Sequence, residues 1–177
     1  MLPPALRQRL QVTQQCRPED LEMVRARYAT HEIPAELGTY FEDMQSRLAA
    51  AHLFIGRAGA STIAELTAVG RPAILVPLPI ATDDHQSANT REIVAAGGAR
   101  AIRQSSFTPK ELAKQIQAMA QHPHTLANAA HAAWNCGLPN AVGDLADLVE
   151  SFGAEPIMDV IRVDSRQSVA SGQEQLA

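Results

Sequence analysis

The stretch Leu53 to Val76, LFIGRAGASTIAELTAVGRPAILV, reads as strand, turn, helix, turn, strand. Leu53-Phe-Ile is short and wholly apolar, the pattern of a parallel strand covered by helices on both faces. Gly56-Arg-Ala-Gly-Ala-Ser-Thr then turns the chain into a helix carrying Ile63, Leu66 and Val69 at helical spacing. Gly70 closes that helix as a C-terminal cap, since glycine adopts the left-handed conformation without steric cost. Arg71-Pro72 leads into Ala73-Ile-Leu-Val, a second apolar strand that Pro77 and Pro79 stop.

The alternation continues in both directions. Upstream, Leu10 to Gln14 reads as a strand, and Arg17-Pro-Glu-Asp opens a helix to about Ala29. Thr30 to Leu37 is a weaker strand, and Phe41 to Ala51 carries Met44, Leu48 and Ala51 at helical spacing. Downstream, the polar loop Ala81 to Asp84 precedes a helix that ends at Gly97-Gly98, and Ala99 to Arg103 is the next strand. Thr108-Pro-Lys-Glu is a helix start with a Thr cap, a first-turn Pro and a capping-box Glu111. Helices follow to about Phe152, with Met119 and Trp134 expected to pack between them. Strands and helices alternating in short units predict an α/β fold built on a doubly wound parallel sheet. The region after Gly153 has no sustained period and reads as a poorly ordered tail.

Composition narrows the function classes. At 177 residues the chain has room for one ordinary domain. Hydrophobic residues make up 46% and charged ones 19%, enough apolar surface to fold. A net charge of -4 and only 4% aromatics argue against nucleic acid as a partner. Cys16 and Cys136 show no clustering, so neither a disulfide framework nor a zinc site is indicated, and a reducing cytoplasm fits best. The longest apolar run, Pro72 to Ala81, falls short of the roughly 18 residues that a membrane helix needs. The N-terminus has no apolar core of a secretory signal, which leaves peripheral contact as the only expected membrane association.

Two loops sit where open α/β sheets bind ligands, at the carboxyl ends of strands. In Arg57 to Glu65, small residues let a ligand approach the backbone, and the helix start offers unpaired N–H groups to an anion such as a diphosphate. Glu65, one turn in, is placed to accept hydrogen bonds from vicinal ribose hydroxyls. The alternative is structural: small residues for close packing, with Ser61 or Thr62 as a helix cap. The loop is neither GxGxxG nor a Walker A. In Asp83-Asp84-His85-Gln86-Ser87-Ala88-Asn89, Gln86 and Asn89 share a helix face and suit sugar hydroxyls. Here the alternative is a cap by Asp83 or Asp84 with a solvated first turn. Asp83, Asp84 and His85 would diverge around a helix start, so they do not make a metal site. His52, His122, His124 and His131 read as structural or exposed, and no hydrolase nucleophile motif is present.

Taken together and in order, Phe41-Glu-Asp-Met, Arg57-Ala-Gly-Ala-Ser-Thr-Ile-Ala-Glu, Gly70-Arg-Pro-Ala-Ile-Leu-Val-Pro and Asp84-His-Gln-Ser-Ala-Asn resemble the family 28 glycosyltransferases over roughly Leu10 to Phe152. The resemblance implies the Rossmann-like C-terminal half of a GT-B fold, lacking its first strand, which would lie before Met1. It implies a donor-binding domain over residues 1–152, with 153–177 as the tail. The activity implied is inverting transfer of N-acetylglucosamine from UDP-N-acetylglucosamine to a lipid-linked muramyl pentapeptide in peptidoglycan synthesis, on the cytoplasmic face of the inner membrane. Phe41 would read the uracil edge through its backbone, Ala60, Ser61 and Thr62 would hold the diphosphate, and Glu65 the ribose. Gln86 and Asn89 would bind sugar hydroxyls beside His85, and Met44, Ile63 and Ala64 complete the substrate-binding set.

No cofactor or metal is implied: N–H dipoles at the Ala60 helix start would stabilise the charge developing on UDP. The catalytic base and most membrane contact would come from an N-terminal acceptor domain. Gly56 departs from the family, which more often carries Ser or Cys there, and this matters little if only backbone contacts are made. The competing expectations are a truncated UDP-sugar-binding module without activity of its own, and another GT-B enzyme such as a UDP-N-acetylglucosamine epimerase.

Overall fold

The architecture is organised around a strand buried on both faces. Ala73, Ile74 and Leu75 have no solvent exposure in the structure, a computed structural model that describes residues 1–79 and 85–153. Because side chains alternate along a strand, Ala73 and Leu75 join one apolar cluster, with Leu48, Leu66 and Ile93. Ile74 points the other way, into a second cluster with Ile102, Met119 and Ala129. Burying Ile74 and Leu75 stabilises the fold by about 1.5 to 3 kcal/mol each.

In chain order the elements are α1 (Pro4–Arg7), β1 (Val12–Gln15), a 3-10 turn at Pro18–Asp20, α2 (Leu21–Thr30), β2 (Ala35–Gly38), α3 (Met44–Ala50), β3 (Phe54–Gly56) and α4 (Ala60–Ala68). Then come β4 (Ala73–Leu75), α5 (His85–Ala95), β5 (Ala99–Ala101), a 3-10 turn at Gln104–Ser106, α6 (Pro109–Ala120), α7 (Pro123–Asn135) and α8 (Ala141–Gly153). The chain divides into two compact units, Met1–Leu138 and Pro139–Ala177. Within the described part of the second, α8 presents Val142, Leu145, Val149 and Phe152 at helical spacing, all exposed.

All strand pairs are parallel, as the βα alternation predicts. The sheet nevertheless comes in two pieces, β1-β2 and β3-β4-β5, with Phe54 opposite Ala73 and Ala73 opposite Ala99. The split falls between β1 and β3.

Several local expectations need correction. Leu53-Phe-Ile is not buried on both faces: Ile55 is 40% exposed, because β3 is hydrogen-bonded on one side only among the described residues. Trp134 is 58% exposed although its Cβ and ring lie beside Gly70, whereas Met119 is buried as expected. The helix expected from Phe41 begins at Met44 instead. Asp43, in the cap position, gives its carboxylate to the Arg47 guanidinium rather than to the first-turn N–H groups.

At α6, Thr108 caps by accepting from the Glu111 N–H at 3.2 Å. The reciprocal half of the capping box is absent, because Glu111 accepts from the Gln115 side chain at 2.6 Å. Gly70 does close α4, at φ +60°, with the Arg71 N–H reaching the Leu66 carbonyl at 2.7 Å. The expected caps Asp83 and Asp84, and the expected tail beyond Gly153, lie outside the described residues.

Candidate functional site

The carboxyl ends of β3, β4 and β5 lie side by side, and Arg57 ties their loops together. Its Nη1 donates to the Val76 carbonyl at 3.2 Å and to Gln104 Oε1 at 2.8 Å, so the chain leaving β3 is held against the chains leaving β4 and β5. Sequence reasoning gave Arg57 no role, because its partners lie 19 and 47 residues away.

The chain then enters α4 with Gly59 in the cap position, extended at φ -64° and ψ 149° and without a side-chain cap bond. Neither Ser61 nor Thr62 caps the helix, so the structural alternative for those two side chains is not what is found. The first-turn N–H groups of Ala60, Ser61 and Thr62 carry the positive end of a nine-residue helix, a favourable place for an anion. Ala60 and Ser61 are exposed, and Glu65 is exposed one turn further on. Ile63 turns inward against the core, and Ala64 is exposed, with its carbonyl accepting from Thr67 Oγ1 at 3.0 Å.

Helix α5 is brought to this loop by a side chain. Asn89 Nδ2 donates to the Ala58 carbonyl at 3.2 Å, two residues before the α4 start. Gln86 Oε1 accepts from the Leu78 N–H at 2.9 Å. Each amide thus spends one polar end on positioning the loops after β3 and β4, and among the described residues Asn89 Oδ1 and Gln86 Nε2 have no hydrogen-bond partner. His85, the first residue of α5, is exposed.

Phe41 and Met44 stand in and after the loop that follows β2. The Phe41 ring lies under the Arg47 guanidinium, 4.2 Å from guanidinium carbon to ring centroid. Arg47 Nη1 and Nη2 donate to Glu36 at 2.7 and 2.9 Å, and Nε donates to Asp43 at 2.6 Å. Those bonds hold the Glu36 and Asp43 carboxyls below their ordinary range and push the Arg47 guanidinium further up. Arg47 went unnoticed in the sequence, although its i,i+4 spacing from Asp43 was a usable signal. Met44, opening α3, is partly exposed.

Gly56 has a structural reason. A Cβ there would meet the Phe54 ring at 2.6 Å, so this strand carries a large ring at 54 and no side chain at 56. His52, His122, His124 and His131 are all exposed. Among the described residues, no group of three His, Cys, Asp or Glu side chains is placed to hold a metal ion, and no helix is long and apolar enough to cross a membrane. An open depression of about 900 Å³ lies elsewhere, between Ile102, Arg103, Lys110 and Lys114, and does not include the α4 start.

Comparisons with known proteins identify the family. The model of the glycosyltransferase family 28 C-terminal domain matches residues 3–149. The chain is 92% identical over 177 residues to the UDP-N-acetylglucosamine--N-acetylmuramyl-(pentapeptide) pyrophosphoryl-undecaprenol N-acetylglucosamine transferase of Novosphingobium aromaticivorans, covering all of this chain and 46% of that protein. It is 79% identical over 173 residues to the protein of the same name from Erythrobacter litoralis, covering 98% of this chain and 44% of that one. The crystal structure of Acinetobacter baumannii MurG superposes with a TM-score of 0.73 at 32% identity, over 84% of this chain and 46% of that one. A glycosyltransferase solved with dTDP, VinC, shares the fold at a TM-score of 0.59 and 17% identity. The chain therefore spans less than half the length of these relatives, and over that span it belongs to the glycosyltransferase family 28 C-terminal domain family.

Proposed function

We propose that residues 1–152 form the donor-binding part of an inverting glycosyltransferase that moves N-acetylglucosamine from UDP-N-acetylglucosamine to a lipid-linked muramyl pentapeptide in peptidoglycan synthesis. The observation that carries this reading is the uncapped start of α4, held by Asn89 against α5 and by Arg57 against the neighbouring strand ends. In this proposal the N–H groups of Ala60, Ser61 and Thr62 bind the diphosphate, with Ile63 and Ala64 continuing the same turn. Glu65 accepts from the ribose hydroxyls. His85, Gln86 and Asn89 face the N-acetylglucosamine, and Phe41 and Met44 the uracil. As the acceptor hydroxyl attacks the anomeric carbon and UDP departs, the helix-start dipoles stabilise the charge gathering on the leaving diphosphate.

The names of the relatives supply the acceptor and the transfer chemistry, and their greater length supplies room for an acceptor half. Function at the cytoplasmic face of the inner membrane, with the acceptor bound by that other half, belongs to the same proposal.

The test is a calorimetric titration of the chain with UDP-N-acetylglucosamine, UDP-glucose and UDP-galactose. Tightest binding of the first is expected. Glu65→Ala should weaken UDP binding by about 1.5 to 3 kcal/mol, the value of hydrogen bonds to a charged group, or roughly 10- to 150-fold in Kd. Unchanged UDP affinity in that variant would remove Glu65 from the site.

A further inference from the structure

We infer that Arg47 is a positioning residue for base recognition: it fixes the Phe41 ring, and through it the Phe41 peptide groups that face the nucleobase. The inference rests on the uridine reading of the site and adds to it the device that sets base selectivity.

The Phe41 ring is gripped from two sides. One face lies under the Arg47 guanidinium. Elsewhere the ring packs so closely on Gly38 that a Cβ at that glycine would sit 3.0 Å from its Cε1 and Cζ. Arg47 is itself immobilised, with a bidentate pair to Glu36 on β2 and a bond to Asp43 at the start of its own helix. Its side chain is 25% exposed. The strand side of the loop is tied as well, by the Cys16 N–H to the Gly38 carbonyl at 2.8 Å and Gln15 Nε2 to the Thr39 carbonyl at 2.9 Å. Among the hydrogen bonds between described residues, none engages the Phe41 N–H or C=O. An anchored ring therefore carries an unengaged donor and acceptor on its own backbone.

That pair has the chemistry to tell two pyrimidines apart. Uracil offers a donor at N3 and an acceptor at O4, which a peptide C=O and N–H complement. Cytosine reverses both, so the same peptide would leave two groups unpaired against it. Discrimination of this kind needs the peptide held in one orientation before the base arrives. Exposed ion pairs contribute little to global stability. The planar guanidinium fork loses less freedom per bond than an ammonium would, so the effect of Arg47 falls on the order of this loop.

The experiment compares the full chain with Arg47→Met, which keeps a long apolar stem, and Arg47→Lys, which keeps the charge. UDP, CDP and pyrophosphate are titrated into each, and the Phe41 and Glu42 amides are followed by 15N NMR without ligand. Wild type should prefer UDP to CDP. In Arg47→Met the ratio of their affinities should fall about tenfold, as expected if the competent loop population drops to about a tenth, while pyrophosphate affinity is unchanged. The two amides should broaden or shift toward random-coil positions in Arg47→Met, and Arg47→Lys should not restore them. A wild-type selectivity ratio in Arg47→Met, or unaltered amides, would overturn the role of Arg47 and leave the uridine reading standing. A wild-type chain that binds pyrophosphate and ignores the base would overturn both.

Discussion

Gly56→Ala should destabilise this chain although the residue lies at a strand end and makes no side-chain contact. A Cβ at Gly56 would sit 2.6 Å from Phe54 Cζ and 2.8 Å from Cε1. That is about 1 Å inside the usual carbon–carbon separation of roughly 3.5 to 4.0 Å. Phe54 packs against the cluster of Leu48, Ala58 and Leu66, so its ring gains space only by giving up contacts there. Overpacking of this kind costs about 1 to 3 kcal/mol. Urea unfolding followed by far-UV circular dichroism would read the loss as a lower midpoint with the same slope. The attribution to one ring is checked by a double-mutant cycle with Phe54→Val, which makes room for the new methyl group. The pair should show a coupling of about 1 kcal/mol or more, the two positions being in contact. Equal stability of Gly56→Ala and wild type, or strict additivity in the cycle, would refute the reasoning. Gly56→Ser should behave like Gly56→Ala, and both should bind pyrophosphate normally once Phe54 is reduced to Val.

Two further outcomes concern the α4 cap and the Arg47 network. Gly70→Ala should lower stability by about 1 to 2 kcal/mol by chemical denaturation, because φ there is +60° and a side chain would strain the left-handed turn. The Glu36 and Asp43 carboxyls are depressed in the folded chain, chiefly by their hydrogen bonds to Arg47. Groups depressed by folding contribute order above their unfolded values and lose it as pH falls through the folded ones. The Phe41 and Glu42 amide signals should therefore hold from pH 7 to about 5 and change below about pH 4, and Arg47→Met should abolish that transition. A flat profile in wild type down to about pH 2 would show that the carboxylates do not hold the loop.

How much of this was legible beforehand differs between levels of structure. Parallel pairing followed from the alternation of short apolar runs with helical periods, and Ala73 to Leu75 turned out as buried as their composition implied. The loop entering α4 and the start of α5 were singled out from residue type and position, and the structure joins them through Asn89 and Ala58. Misreadings cluster where a residue's surroundings come from distant chain. Ile55 has the composition of a central strand and the exposure of an edge, and Trp134 has the size of a core residue but lies mostly outside.

From sequence alone came whatever depends on neighbours within a turn or two: the glycine stop after α4, the Thr108-Pro start of α6, the helical face shared by Gln86 and Asn89, and the small residues leading into Ala60. Only tertiary structure decided the division of the sheet between β1 and β3, the use of Arg57 as a tie between strand ends, the grip of Arg47 and Gly38 on Phe41, and the need for glycine beside Phe54. The physical reason is range. Propensities and caps act over a few residues, whereas exposure, ring packing and ion pairing depend on which distant segments the finished fold sets within a few ångströms of one another.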